Sequence, residues 1–343
     1  MVGRGGRGHK KAPPSAAYPV RVRIPLPAAT AVNVRRLALA NLVANIVLVI
    51  TGGAVRLTGS GLGCAQWPTC NDGNIVPTAE APVHTYIEFF NRTLFFVLAV
   101  IALTAWLVIR RLDPPRKDMS RLAFIIGLGI PAQAVIGGVT VLTGLNPYTV
   151  MAHLLVTMVI IYWCAVLYNR ARNLERVVPE YATAPMHWLA RAVLASTYFA
   201  LVMGTLVTGS GPHSGDPRAG RTGFDPELMS QLHADAVFLL VGLSIAVLIF
   251  AHVLRADKLR RVATLLVGLE LAQAVIGYVQ YFNDLPELLV GIHLTLAAML
   301  MAAATFVAEE IRYVRFNARG RTDEVRLKAS TAQSSAAVVG DDL

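Results

Sequence analysis

The stretch IPAQAVIGGVTVLTGLNPYTVMAHLLVTM, residues 130–158, has a counterpart in LAQAVIGYVQYFNDLPELLVGIHLTLAAM, residues 271–299. The hexapeptide AQAVIG recurs at an offset of 140 residues, and the same offset places His153 on His293. In each copy a long apolar segment is followed by a polar turn and then by a second apolar segment that carries the histidine. Internal repeats of this kind build many membrane proteins, so the pattern predicts a chain made of two similar halves.

Two further pairs of segments extend the repeat. VRLTGSG at 55–61 matches TLVTGSG at 205–211, and EFFNRTLFFVL at 88–98 matches SQLHADAVFLL at 230–240. The second match places Asn91 opposite His233. These pairs predict two four-helix halves in parallel topology. The predicted divisions are a disordered basic tail over 1–35, the first half over 36–170, a linker over 171–187, the second half over 188–313 and a disordered tail over 314–343.

The composition predicts an all-α polytopic membrane protein. Of the 343 residues 55% are hydrophobic and 15% are charged, whereas a soluble domain carries about 25% charged residues. A membrane-spanning helix needs roughly 20 apolar residues. Eight segments meet this requirement, at about 36–56, 86–109, 121–143, 148–168, 188–208, 229–253, 260–280 and 287–311.

The distribution of positive charge indicates topology rather than nucleic-acid binding. All but four of the 31 Lys and Arg residues lie in or beside the two tails and the loops after the second, fourth and sixth helices. The exceptions are Arg56, Arg92, Arg218 and Arg221. Because positive residues favour the cytoplasm, both termini are predicted to be cytoplasmic, and the lipid bilayer is the expected partner of the surface.

Four polar residues are predicted to lie at one depth near the extracytoplasmic surface. Each even-numbered helix carries one of Asn91, His153, His233 and His293, four or five residues in from its predicted outer end, which is about 6–8 Å. Ionisable residues inside a membrane are costly and indicate function. The pattern therefore predicts one paired site in each half.

A facing pair of histidines has three interpretations. Neutral imidazoles on opposed helices can ligate a haem iron from both faces. They can also relay protons, or hydrogen-bond to a neighbouring helix without a further role. Other metals fit less well, because no Cys or carboxylate completes a ligand set near His233 and His293. Haem ligation is the interpretation that a repeated pair favours.

The cysteines and the remaining histidines give weaker signals. Cys64 and Cys70 in GCAQWPTC lie on the predicted oxidising side and are expected to form a disulfide, either as a structural staple or as a redox-active pair. Cys164 is expected to be an inert core thiol. His84 is a candidate ligand or proton carrier, and His213 in TGSGPHSGD lies in the loop that faces the second site.

These motifs together resemble the haem A synthase family. The resemblance covers about 36–311 and rests on GGAVRLTGSGLGCAQWPTC, EFFNR, the paired AQAVIG segments, TGSGPHSGD and the histidines of helices four, six and eight. It implies an enzyme that oxidises a methyl group of haem O to the formyl group of haem A. It also implies a haem b on His233 and His293, and a substrate haem in the first half with His153.

One position departs from the family pattern. The family carries Glu-x-x-His-Arg on helix two, whereas this chain has Glu88, Asn91 and Arg92 at the matching positions. Asn is a poor iron ligand, so the first site is not expected to hold its haem from both sides. The three residues share one helix face, with Arg92 suited to haem propionates or to pairing with Glu88, and Glu88 suited to proton transfer.

Two other functions fit parts of this pattern. A di-haem b cytochrome in quinone-linked electron transfer would use two equivalent bis-histidine sites, which Asn91 argues against. A transporter with inverted halves conflicts with the parallel repeat. The resemblance also implies a haem O synthase as a partner, whereas the electron donor is not identified by the sequence.

Overall fold

The structure is a computed structural model, and it describes residues 26–174 and 184–311. Within these two ranges it contains eight α-helices, each long and apolar enough to cross a membrane. They are α1 (Ala31–Leu57), α2 (Val83–Ile109), α3 (Lys117–Leu142), α4 (Pro147–Arg172), α5 (Ala184–Ser210), α6 (Pro226–Val253), α7 (Asp257–Tyr281) and α8 (Glu287–Ile311). The predicted all-helical class is confirmed.

Most helices extend beyond the apolar segments that predicted them, because their ends include polar capping residues. The Thr30 side chain accepts a hydrogen bond from the Asn33 N–H at the start of α1. Asn146 and Asp225 cap α4 and α6 in the same way, and each is followed by a proline at the first helical position. Proline is favoured there because its missing N–H would have no partner in the helix.

The predicted division of the chain into tails, two halves and a linker stays a prediction. Helix α1 begins at Ala31, so it includes the last residues of the predicted 1–35 tail. Helix α5 begins at Ala184, inside the predicted linker over 171–187. The rest of the N-terminal tail up to residue 25, the linker residues 175–183 and the predicted C-terminal tail lie outside the described residues.

Helices that follow one another in the chain pack side by side. Helices α1 to α4 form a closed group in which α1 also packs on α4, while α5, α6 and α7 pack in succession. One buried cluster lies among α1–α4 and a second among α5–α7, and α8 contributes to both through Ala298, Met301 and Val307. Helix α8 therefore joins the two halves in the core.

The outward surface of the helices is apolar. Phe238 is 75% exposed and Val253 is 73% exposed, and large apolar side chains are exposed on every helix. Side chains of this kind are stable at a helix surface when lipid rather than water surrounds it. This agrees with the eight predicted membrane-spanning segments.

Loops at one end of the bundle connect the two halves through hydrogen bonds. We call this end the disulfide end, because it carries Cys64 and Cys70. Arg56 at the end of α1 donates hydrogen bonds to the carbonyl oxygens of Thr208 (2.8 Å) and His213 (2.6 Å). The Gly61 N–H donates to the Gly215 carbonyl at 2.8 Å. At the opposite end, Arg170 of α4 pairs with Glu309 of α8.

Candidate functional site

The four polar residues of the predicted sites lie near the first residues of their helices. Asn91, His153, His233 and His293 follow the first residues of their helices by six to eight positions, or about 9–12 Å. The sequence count of four or five positions was made from the ends of the apolar segments, and three of the four helices begin before those segments do. All four helices start at the disulfide end, so the residues share one depth range there.

The second half brings two histidines face to face. The ring centroids of His233 and His293 are 6.4 Å apart with an interplanar angle of 71°. His233 donates a hydrogen bond from Nδ1 to the Ala200 carbonyl of α5 at 3.0 Å. That bond fixes the tautomer with an unprotonated Nε2, which is the atom a metal binds.

Glycines allow these rings to lie directly against helix backbones. A Cβ atom at Gly204 would stand 3.1 Å from Cε1 of His233, and one at Gly277 would stand 3.2 Å from Cε1 of His293. A larger residue at either position would push the ring away from its present place. The glycines therefore set the positions of both imidazoles.

His153 and His293 have matching surroundings in the two halves. Nε2 of Gln133 donates to the His153 carbonyl at 3.1 Å, and Nε2 of Gln273 donates to the His293 carbonyl, also at 3.1 Å. A Cβ atom at Gly137 would stand 3.2 Å from the His153 ring, as at Gly277. Nδ1 of both histidines is buried and has no hydrogen-bond partner within the described ranges.

Asn91 has a fixed orientation in the first half. Its Oδ1 accepts a hydrogen bond from the Thr51 hydroxyl of α1 at 2.8 Å. Because the carbonyl oxygen of the amide accepts this bond, the amide NH₂ group is turned away from the Thr51 hydroxyl. Asn91 thus offers two N–H donors where its counterpart His233 offers a ring nitrogen.

Glu88 and Arg92 hold the first loop of the disulfide end on α2. Glu88 is 4% exposed, and its Oε2 accepts from the Cys64 N–H at 2.7 Å. Arg92 donates to Oε1 of Glu88 through Nε (3.1 Å) and Nη2 (2.5 Å), and to the carbonyls of Cys64, Gln66 and Thr69. These five bonds use all five N–H groups of the guanidinium. Of the two roles that the sequence suggested for Arg92, the structure contains the pairing with Glu88.

The loop itself is closed by a disulfide between Cys64 and Cys70. The ring of Trp67 lies so close to α3 that any Cβ atom at Gly138 would overlap it. The loop is therefore held on α2 by Glu88 and Arg92 and on α3 by Trp67. Cys164 is a buried free thiol that accepts a 3.6 Å contact from Nδ2 of Asn45.

His84, which lies in the first turn of α2 rather than in the loop before it, and His213 contact segments of the disulfide end rather than the paired residues. Nδ1 of His84 shares a hydrogen bond with the Ser60 hydroxyl at 2.8 Å. Nε2 of His213 donates to the Leu285 carbonyl at 2.9 Å, which joins the loop after α5 to the loop before α8. In the structure, both histidines connect segments of the disulfide end.

Several residues that shape the sites were missed by the sequence analysis. Gln133 and Gln273 lie inside the repeated AQAVIG motif, so the repeat itself was the signal that could have identified them. Thr51 and Ala200 gave no such signal, because their contacts depend on how α1 packs on α2 and how α5 packs on α6.

Relatives with known names share parts of this sequence. Proteins named Heme A synthase match from Listeria monocytogenes (35% identity over 119 residues, 34% of this chain and 37% of the relative) and Lysinibacillus sphaericus (29% over 169 residues, 47% and 54%). The Heme A synthase of Shewanella oneidensis matches at 26% identity over 304 residues, 76% of this chain and 91% of the relative. The chain thus spans little more than a third of the length of the Listeria relatives and most of the Shewanella one.

The family model described as COX15-CtaA, cytochrome oxidase assembly protein, matches residues 35–213. This range includes the whole of α2, α3, α4, the disulfide loop, Glu88, Asn91, Arg92 and His153, and it extends into the loop after α5. It covers more than half of the chain. The protein is a multi-pass membrane protein that belongs to the COX15-CtaA family of cytochrome oxidase assembly proteins.

Proposed function

We propose that this protein is a haem A synthase, an oxidoreductase that converts a methyl group of haem O to the formyl group of haem A in the cell membrane. The observation that carries the proposal is the difference between the two paired sites. His233 faces His293 in the second half, whereas Asn91 takes the matching place in the sequence of the first half. A pair of histidines could bind an iron from both sides, which suits an electron carrier. A single histidine would leave the iron accessible on one side, which suits a substrate site.

The second half is suited to a haem b. Two metal–imidazole bonds of about 2 Å each, together with the half-widths of two rings, give a centroid spacing close to the observed 6.4 Å. The buried, unpartnered Nδ1 of His293 and the tautomer of His233 agree with ligation through ring nitrogens. Within residues 26–174 and 184–311 no three His, Cys, Asp or Glu side chains cluster, so these two histidines have no third protein ligand of these types beside them.

In the first half, His153 would bind the iron of haem O, the substrate. Gln133 and Gly137 hold it as Gln273 and Gly277 hold His293. Asn91 carries no imidazole, so His153 would be the one imidazole of this half that binds the iron. Bound there, the haem supplies an oxidisable methyl group and a redox-active iron. The amide NH₂ of Asn91, oriented by Thr51, would donate hydrogen bonds on the open side.

Glu88 would be the proton-handling or electrostatic group of the first site. It lies one helical turn from Asn91 on the same face of α2, and it is almost fully buried. Arg92 would act through Glu88 and the loop, because its five N–H groups are already engaged. The Cys64–Cys70 loop would cover this site at the disulfide end.

The sites would lie near the extracytoplasmic surface, with both termini in the cytoplasm and a haem O synthase delivering the substrate. The charge asymmetry of the loops and the disulfide support this orientation. The matched glutamine, glycine and histidine contacts of α3–α4 and α7–α8 support an origin of the two halves as copies of one unit.

Extraction of the pigments from purified protein tests the proposal. The protein would be produced together with a haem O synthase and its haems separated by chromatography. Haem b together with haem O or haem A is the expected result. Haem b alone, at two copies per chain, would instead identify a di-haem b cytochrome.

A further inference from the structure

A carboxyl group is buried near the middle of α7 in the second half. Glu270 is 1% exposed, and its Oε1 accepts a hydrogen bond from the Ser244 hydroxyl of α6 at 2.6 Å. Its Oε2 is also buried and has no hydrogen-bond partner among the described residues. Ionisable side chains inside a membrane are costly and indicate function. The proposed reaction leaves Glu270 without a role.

No cation of the described residues compensates this carboxyl group. Away from the helix ends, the other titratable side chains of α5–α8 are Arg191, Tyr198, His233, Asp235, Tyr278 and His293. Neither these side chains nor the charged residues at the helix ends pair with Glu270 within the described ranges. An unpaired carboxylate in an apolar medium is unfavourable, so Glu270 is ionised only when a positive charge lies within reach.

The medium around Glu270 is apolar. Leu266 lies one turn before Glu270 on α7, and Val247 lies one turn after Ser244 on α6. Both belong to the buried apolar cluster of the second half. Charges act over longer distances in such a medium than in water, because its dielectric constant is low. A change of charge elsewhere in the second half would therefore act on Glu270.

A row of polar side chains connects Glu270 to the histidine pair and to the disulfide end. Gln273, Gly277 and Gln280 follow Glu270 on the same face of α7, and Gln273 donates to the His293 carbonyl. Gly277, which lies against the ring of His293, is seven residues from Glu270, or about 10 Å along the axis. Oε1 of both glutamines is buried without a partner in the described part of the chain. Such atoms usually bind water, so the row offers a route for protons.

The first half has an apolar contact in place of this pair. The offset of the AQAVIG repeat places Ile130 at the position of Glu270, and the match of α2 with α6 places Ala102 at the position of Ser244. Ile130 and Ala102 belong to one buried apolar cluster. The carboxyl group and its hydroxyl donor are therefore particular to the half that carries two facing histidines.

We propose that Glu270 is the proton-binding group of the second half, which takes up one proton when a haem b between His233 and His293 gains an electron. This inference rests on the proposed function. Oε2 of the Glu270 carboxylate binds one proton from water as a one-electron reductant delivers one electron to the iron, so the net charge of the half is unchanged. Oxidation releases the same electron and the same proton.

Infrared difference spectra of the purified holoprotein, recorded between its oxidised and reduced states at an electrode, test this uptake. In the wild type, reduction should produce the carbonyl band of a protonated carboxylic acid. The midpoint potential of haem b should fall as the pH rises, because the reduced state binds the extra proton. Glu270→Gln should lack the band and lose the contribution of Glu270 to this slope, which is at most about 59 mV per pH unit for one proton per electron.

Three variants separate proton binding from packing. Ser244→Ala removes the bond between α6 and α7 but keeps the carboxyl group, so the band should remain at a shifted frequency. The double variant Ser244→Ala, Glu270→Ile copies the contact of Ala102 with Ile130, which the first half already packs, and it should lose the band. Glu287→Gln, at the exposed start of α8, should behave as the wild type.

Two results would overturn the proposal. The first is an infrared difference spectrum and a pH dependence that are the same in wild type and Glu270→Gln. The second is a Ser244→Ala variant that loses the pH dependence as fully as Glu270→Gln, which would leave the pair with a structural role.

The measurements require haem b but no haem A, so they also separate this proposal from the proposed function. Spectra that depend on Glu270 in a protein without haem O or haem A would support proton binding and refute the synthase. Haem A formation with spectra that are independent of Glu270 would refute proton binding alone. A protein that binds no haem at His233 and His293 would refute both.

Discussion

The two halves hold one histidine in the same way and differ in what stands on the matching even-numbered helix. Gln133 and Gln273 bind the backbone of His153 and His293 at equal distances, and a glycine lies against each ring. The second residue of the pair is His233 in one half and Asn91 in the other. One framework can therefore present either two imidazoles or one, and a single position decides which.

The surroundings of the second position differ as well. His233 donates to a backbone carbonyl, whereas Asn91 accepts from the Thr51 hydroxyl and is followed by Arg92, which supports the disulfide loop. The second half carries no matching disulfide loop, since Cys164 is the only other cysteine of the chain. The first half thus combines an amide in place of the second imidazole with a loop held over α2, which would suit the proposed substrate site. The second half has two facing imidazoles instead.

The largest effect is expected from removing an imidazole of the second half. His233→Ala or His293→Ala should abolish the low-spin haem b signal, because in the proposed assignment each histidine would supply one of the two imidazoles that bind the iron. Absorbance and electron paramagnetic resonance spectra of the purified variants measure this. His252→Ala is the control, since His252 is exposed at the opposite end of α6. A normal low-spin haem b in both single variants would refute the assignment.

Substitution of Glu88 should affect the first half alone. Glu88→Gln keeps the shape of the side chain and should lower haem A formation by about 100-fold or more, the size expected for loss of a proton-transfer group. The haem b signal should stay at the wild-type level. Chromatography of extracted haems measures the product, and Glu80→Gln in the exposed part of the loop is the control. Haem A formation at the native rate would leave Glu88 with a packing role.

A serine substitution tests whether the Cys64–Cys70 disulfide is structural or redox-active. We expect Cys64→Ser to lower stability by about 2 kcal/mol through loss of the cross-link, with turnover per folded molecule retained, because Glu88, Arg92 and Trp67 still hold the loop. Thermal melting and turnover normalised to protein content measure the two effects. Cys164→Ser is the control for a change of thiol alone. Normal stability with lost turnover would show that the pair is redox-active.

The smallest effect is expected at Thr51. Thr51→Val removes the hydroxyl that orients the Asn91 amide, at a cost of about 1 kcal/mol, or roughly fivefold in turnover. The second-half spectrum should be unchanged. Thr58→Val at the exposed end of α1 is the control. A Thr51→Val variant with wild-type turnover and an unchanged first-half spectrum would show that the amide orientation has no role.

The architecture could be predicted from the sequence because lipid imposes simple requirements on a spanning helix. Length, hydropathy and the AQAVIG repeat identified eight helices and four polar positions. The exact starts of most helices could not be predicted, since polar residues such as Asp225 cap helices before their apolar segments begin. The pattern of apolar residues carries no information on the polar ends of the helices.

The contacts between segments were harder to predict. The use of all five Arg92 donors by Glu88 and the loop depends on the loop folding back over α2, which no local pattern indicates. The bonds from Arg56 to the second half likewise join residues more than 150 positions apart. Side-chain types suggested candidates at these positions, and tertiary packing decided their partners.

The number of axial imidazoles in each half is the central claim, and spectra of wild type and Asn91→His test it most directly. Wild type loaded with haem O should show one six-coordinate low-spin haem that depends on His233, and a second haem with one imidazole that depends on His153. Asn91→His should convert the second haem to a six-coordinate low-spin form and reduce turnover. Two equivalent low-spin haems in the wild type, unchanged by Asn91→His, would contradict the account.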